Sequence, residues 1–268
     1  MCGGILAETL ADLRALHGAA LEDLRVEEAV VGVVFSAIKL SDGRGGMAGT
    51  PRLDARQPPP EPGRPPPGAL VGSRVLSLLE PWPEDPYRRA LAVAALSALS
   101  APFLDERRYR VVYDRDALEL VDVKPGMTVT IVGAFHSYID RLKAVPGLRL
   151  HVLELREAAL RESDLPFYVP AERAQEVVPR SDALLITGLS LANGTLEGLL
   201  SLSRSEASVA VVGPSGSILP EALFRRNVRL VGGCVLTDCD AALKLLSQGA
   251  SARHLYGVCA RKINLSPR

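Results

Sequence analysis

The sequence has few aromatic residues (4%), only four cysteines and no surplus of either charge, with 31 Lys and Arg set against 31 Asp and Glu. Balanced charge, with no basic stripe along the chain, argues against nucleic acid as a partner. Cys2, Cys234, Cys239 and Cys259 are too few and too unevenly placed for a disulfide framework, and they read as reduced thiols. Long apolar runs are missing too. The most apolar stretch, RRALAVAALSALSAPF, is too short and too rich in Ala and Ser to span a bilayer, so no membrane partner is expected. The opening MCGGILAETLADLRALHG carries Glu8 and Asp12 where a signal peptide needs an unbroken apolar core. These absences leave a cytoplasmic globular protein, and 268 residues suit one large or two small domains.

What is present divides the chain. Leu6, Leu10, Leu13, Leu16, Leu21 and Leu24 recur at helical spacing. VEEAVVGVVFSAIKLSDGRGGMAGT reads as a strand, an Asp42-Gly43 hairpin turn and a second strand. Gly45, Gly46 and Gly49 strip that second strand of side chains, which marks either an undemanding edge or close approach by another group. Eight prolines in 51–68 exclude helix and strand interiors there and predict an exposed loop. Helices are expected at about 69–80 and 86–101, with a small α+β domain over 1–110. From Met127 the pattern becomes strand, loop and helix in repetition: TVTIVG, RLHVLEL, DALLITG, ASVAVVG and VRLVGG, with a further strand in HLYGVCARKI. Short continuous apolar runs predict a mostly parallel sheet covered on both faces, a Rossmann-like domain over 111–268.

Ligands in such sheets sit off the carboxyl ends of the strands, and that rule selects the residues to weigh. After the first strand come Gly133, Phe135 and His136. Phe135 and Tyr138 occupy slots where a dinucleotide fingerprint needs glycine, so NAD is not expected, although Glu154 ends the second strand where a ribose-binding acid would stand. After the third strand, Thr195 or Asn193 is expected to cap a helix. After the fourth, Gly213, Pro214, Ser215, Gly216 and Ser217 form a small-residue loop whose N–H groups are expected to face an anion. Ser215 with Asp238 and His254 follows the chain order of an α/β-hydrolase triad, but the helix-starting Pro220 stands too far from the serine for a nucleophile elbow. After the fifth strand, Cys239 is expected in a helical first turn, where the dipole favours thiolate. Cys234, five residues earlier, makes only a weak metal signal with it. His136, Glu154, Asp238 and Cys239 are the candidate metal ligands.

Assembled, the chain resembles the heavy-metal chelation family, in which an enolase-N-terminal-like domain precedes a Rossmann-like one. The resemblance rests on VGVVFSAIKLSDGRGGMAGT, VTIVGAF, DALLITGLSLANGTLEGLL, VVGPSGSILPEALFRRNV and GGCVLTDCDAALKLL, and covers roughly residues 5–262. It implies a cleft between the domains, faced by the Gly-rich hairpin, and the handling of a divalent or heavy metal ion, bare or on a small anionic chelate. Asp42, Gly43, Gly133, Glu154, Asn193, the Gly213–Ser215 turn and Asp238 carry over by position; Cys234 and Cys239 do not. A competing expectation is an enzyme acting on a nucleotide-like or carboxylated metabolite at the same strand ends, with Glu154, His136 and Asp238 as acid–base groups. Association into a homo-oligomer is open on this sequence.

Overall fold

The computed structural model describes residues 4–52, 68–80, 82–83 and 85–268; the expected Pro-rich loop lies almost wholly outside them. Two sheets organise the chain. The smaller is antiparallel, β1 (Val26–Val31), β2 (Phe35–Leu40) and β3 (Gly45–Gly49), in the order β1-β2-β3. It has three strands where the sequence suggested two, because Gly32 turns the chain and its N–H donates to Phe35 O at 3.2 Å. The expected helix at 69–80 shrinks to Leu76–Leu79. Gly68 and Gly72 sit at φ +88° and +82°, outside helical space, and Gly72 N–H pairs instead with Val26 O at 2.8 Å.

The larger sheet comprises β4 (Arg110–Tyr113), β5 (Thr128–Val132), β6 (Arg149–Glu154), β7 (Tyr168–Pro170), β8 (Ala183–Thr187), β9 (Ser208–Val212), β10 (Val228–Leu236) and β11 (Ala260–Ser266). Its order is β4-β11-β10-β9-β8-β5-β6-β7. Strands β5 to β10 pair in parallel; β11 runs antiparallel to both β10 and β4. Burial on both faces explains the unbroken apolar runs. In β8, Leu184 and Ile186 join one core cluster while Ala183 and Leu185 join another; in β9, Val209 and Val211 alternate with Ala210 and Val212 in the same way.

The helix Pro86–Ser100 joins the two sheets. Asp85 caps it by accepting Arg88 N–H at 2.8 Å, and Pro86 suits its first turn. Every residue from Ala90 to Ser100 is buried, as expected of a helix without a polar face. The buried Ser100 hydroxyl is satisfied twice, donating to Leu96 O at 2.7 Å and accepting Leu219 N–H at 2.8 Å. Strand β3 lies against this helix so closely that a Cβ at Gly46 would stand 2.2 Å from Ala94 O. Close approach therefore accounts for the glycines of β3, although it is also an edge strand. No helix among the described residues is long and apolar enough to cross a membrane.

Candidate functional site

Strands β5 and β8 are neighbours, yet the chain leaves β5 towards β6 on the other side, so the direction of winding reverses between them. Rossmann-like sheets bind ligands beside such a reversal, off the carboxyl strand ends. A cleft of about 990 Å³ opens there. One wall is built from the strand ends: Phe135 and His136 after β5, Glu154 to Arg156 after β6, Thr187 and Asn193 after β8, and Gly213, Pro214 and Ser215 after β9. The facing wall comes from the small sheet and the joining helix, with Val33 to Phe35, Gly49 to Arg52, Pro86 and Arg89. One hydrogen bond ties the walls: Gly49 N–H donates to Ser215 Oγ at 2.8 Å, and Ser215 is 2% exposed.

The turns are built differently from the expectation of a backbone anion cradle. Gly213 N–H donates to Gly232 O at 2.8 Å, Gly216 N–H to Gly213 O at 2.8 Å and Ser217 N–H to Pro214 O at 3.1 Å. Pro214 has no N–H to offer. After β5, Gly133 N–H goes to Leu153 O, Phe135 N–H to Gly133 O and His136 N–H to Ala134 O. Gly133 sits at φ +103°, and an added Cβ would press Thr187 at 3.2 Å. These turns shape the cleft, and most of their donors serve the fold. Phe135 stacks on Tyr138 with ring centroids 5.3 Å apart. Thr195 heads its helix without a side-chain cap bond; its hydroxyl and its N–H both donate to Asn193 Oδ1, at 2.7 and 3.1 Å. Thr195 itself stands behind Asn193, outside the lining.

Cationic side chains, which no sequence motif signalled, outweigh anionic ones in the lining. Arg52, Arg89, Arg115, Arg156 and Lys262 outnumber Asp116 and Glu154. Arg115 pairs with Glu119 at 2.6 Å, and Lys262 approaches Asp116 at 3.4 Å. Arg52, Arg89 and Arg156 have no carboxylate partner among the described residues. The Arg89 Nε donates to Pro83 O at 3.0 Å, which steadies the side chain without neutralising its charge. Glu154 Oε1 accepts Arg156 N–H at 3.2 Å. The nearest relative of a buried charge centre is Asp164, behind His136. Burial alone would raise its carboxyl, but hydrogen bonds from Arg161, Lys143 and His136 outweigh burial and hold it well below the usual carboxylate range.

The four candidate metal ligands fall in two places. His136 and Glu154 line the cleft, whereas Asp238 and Cys239 start the helix Cys239–Ser247 beside the hairpin tip. There Asp238 is the N-cap, accepting Ala241 N–H at 3.0 Å. The Cys239 sulfur lies against β3, where a Cβ at Gly45 would come within 2.5 Å of it. Burial pushes the Cys239 thiol up, with Lys39 opposing, so the expected helix-dipole thiolate is not what this site favours. Burial likewise lifts Cys234 to about 12. Asp42 and Gly43 also sit at the hairpin tip, outside the cleft lining; Asp42 accepts both N–H and Nε of Arg44, at 3.1 and 2.5 Å, and Gly43 supplies the turn at φ +85°. Among the described residues no group of three or more His, Cys, Asp or Glu is placed to hold a metal ion. Nor does a hydrolase triad form: Ser215 accepts from Gly49, Asp238 caps its helix and His254 Nδ1 accepts Ser251 N–H at 3.0 Å.

Fold and site together define a Rossmann-like α/β protein with an added antiparallel sheet and a ligand-sized cationic cleft at the switch point. Residues 116–265 match one family model and residues 14–100 a second, and both models carry the description "Putative heavy-metal chelation". The chain belongs to this heavy-metal chelation family. A protein of unknown function from Pyrococcus horikoshii has the same fold, with a TM-score of 0.75, 20% identity, and coverage of 98% of this chain and 99% of that one. So does one from Desulfitobacterium hafniense, with a TM-score of 0.70, 20% identity, and coverage of 96% and 98%. An uncharacterised protein of Methanocaldococcus jannaschii is 27% identical over 180 residues, which cover 65% of this chain and 64% of that protein's length.

Proposed function

We propose that this protein binds a metal carried on a small anionic chelator, held between the small sheet and the Rossmann-like strand ends. In this reading residues 1–110 and 111–268 are two domains sharing one ligand. Phe135, Asn193, Gly213, Pro214 and Ser215 form its shelf. The observation that carries the reading is the charge of the cleft: five cationic side chains against two carboxylates among the described residues. Such a lining repels a bare dication and attracts the carboxylates of a chelator, which match the planar fork of arginine. The family description supports a metal, and the charge of the cleft supports a preference for one already dressed in anionic ligand.

The test is a calorimetric and thermal-shift comparison on tag-free protein with a divalent metal citrate, the bare metal and citrate alone. The loaded chelate is expected to bind best, and at 100 times its dissociation constant to stabilise the fold by about 2.7 kcal/mol. Tight binding of bare metal with no gain from citrate would sink the reading. Glu154 favours a second one, because a carboxylate at the end of β6 is where a nucleoside ligand places its ribose hydroxyls. Stabilisation by NAD, S-adenosylmethionine or ATP in the same assay, and none by the chelate, would select it.

A further inference from the structure

The geometry points to Asp164 as a positioning residue that fixes His136, so that the Nε2 of His136 serves as the protein's own donor to the chelated metal. This rests on the chelate reading above and names the kind of chelate: one with an exchangeable coordination position.

His136 opens the helix His136–Lys143 immediately after the β5 turn and lines the cleft, its side chain 41% exposed. Its Nδ1 stands 3.2 Å from Oδ2 of Asp164. The Asp164 side chain is 0% exposed and comes from the short 3₁₀ segment Glu162–Phe167 between β6 and β7. Arg161 Nε donates to Oδ2 at 2.8 Å, Lys143 Nζ donates to Oδ1, and Ser163 Oγ lies 3.3 Å from Oδ1. Arg161 is held in turn by Asp140 at 2.5 Å. A carboxylate surrounded by an arginine and a lysine is ionised, and an ionised carboxylate only accepts. The proton of the neutral imidazole therefore sits on Nδ1, and Nε2 keeps its lone pair on the ring edge turned away from Asp164. A buried carboxylate that selects the tautomer and aims the ring is the outer partner that metal-binding histidines use.

An anchor for the 3₁₀ segment would need only Lys143 and Arg161. The bond to His136 adds nothing to that anchor except the orientation of a ring that faces the cleft. With no cluster of three donors among the described residues, one imidazole cannot strip a metal from solution. It can replace one water on a metal whose other positions a chelator fills. The metal–water bond breaks, the metal–Nε2 bond forms, the water leaves neutral and no electron moves.

The experiment uses tag-free full-length protein, zinc nitrilotriacetate as the probe, free nitrilotriacetate as control, and the variants Asp164→Asn and His136→Gln. Long-range ¹H–¹⁵N spectra of the histidine rings report the tautomer directly. Metal-free wild type is expected to show His136 protonated on Nδ1, with the Nε2 resonance moving when the zinc chelate is added. Asp164→Asn should raise the Nε2–H form and weaken chelate binding about 10- to 100-fold. His136→Gln, which leaves Asp164 paired with Lys143 and Arg161, should weaken binding at least as much, so the inference stays testable if Asp164→Asn fails to fold. An Nε2–H tautomer in wild type overturns the inference. Wild-type binding that survives both substitutions overturns it too, and leaves the cleft reading standing. No chelate binding by wild type overturns the cleft reading and the donor role with it.

Discussion

Strand β3 meets the rest of the molecule in two unlike ways. At Gly46 it is pressed against the backbone of the helix Pro86–Ser100, in a seam of Gly, Ala and Ser with no room for another atom. At Gly49, three residues on, it borders a cleft of about 990 Å³ lined by arginines. The seam gains its stability from contact, because close-packed small residues leave no voids. The cleft gathers like charges, three of them without a carboxylate partner among the described residues, an arrangement that costs stability and suits a ligand of opposite sign. Substitutions in the seam should therefore change folding and spare binding; substitutions in the cleft should do the reverse.

Gly46→Ala is the severest test of the seam. Its methyl group would meet Ala94 O at 2.2 Å and Ala98 N at 2.4 Å, and backbone cannot swing aside as a side chain can. A loss of about 3 kcal/mol or more is expected in urea unfolding; a variant as stable as wild type would break the account of β3. On the other side, Arg156→Ala removes a charge with no carboxylate partner among the described residues. Affinity for a metal citrate should fall about 10- to 100-fold, the worth of one charge-assisted hydrogen bond, while stability stays within about 0.5 kcal/mol. Ser215→Ala falls between the two. It deletes the acceptor of Gly49 N–H and should cost roughly 1 kcal/mol in the same urea unfolding.

Smaller effects sharpen the contrast at its margins. The helix Ile5–His17 is tied to the Rossmann-like part by Glu8, whose carboxyl Arg226 and Arg225 hold at about 2 instead of 4.5. A depressed carboxyl stabilises the fold fully above its unfolded value and loses that contribution as the pH falls from about 4.5 to about 2. Melting temperature measured down that range should fall less steeply in Glu8→Gln than in wild type. Thiol labelling of native protein at neutral pH should be slow at all three described cysteines, with Cys239 first, because Cys234 and Cys259 are buried and all three thiols are pushed up by burial.

Strands β5, β8 and β9 were legible in the sequence because burial on both faces writes a continuous apolar run, and β6 and β10 because they recur at the same strand–loop–helix spacing. Strand β7 was not, since three residues ending in Pro170 carry no period. Strand β4 reads only as a short extended piece, because its pairing with β11 is what makes RVVY part of the large sheet. The strand-end rule, which needs topology alone, singled out Glu154 and His136, and both line the cleft. The arginines at 52, 89, 115 and 156 are far apart in the chain and become neighbours only when the two sheets meet, so no local pattern announces them. Asp164 is hidden for a similar reason: ESDLPF resembles any polar connection until it folds behind the β5 turn. Asp238 carried two expectations, a helix cap and a ligand, and the structure shows the cap, its carboxylate accepting Ala241 N–H.

The pairing of β4 with β11 also bears on how the chain is made. β4 emerges from the ribosome before the parallel strands, yet its hydrogen-bonding neighbour among the described residues, β11, follows them all. At ordinary translation rates that partner follows on the order of ten seconds later. For that interval RVVY is an unpaired apolar edge, the kind of segment that nascent chains lose to chaperones or to one another.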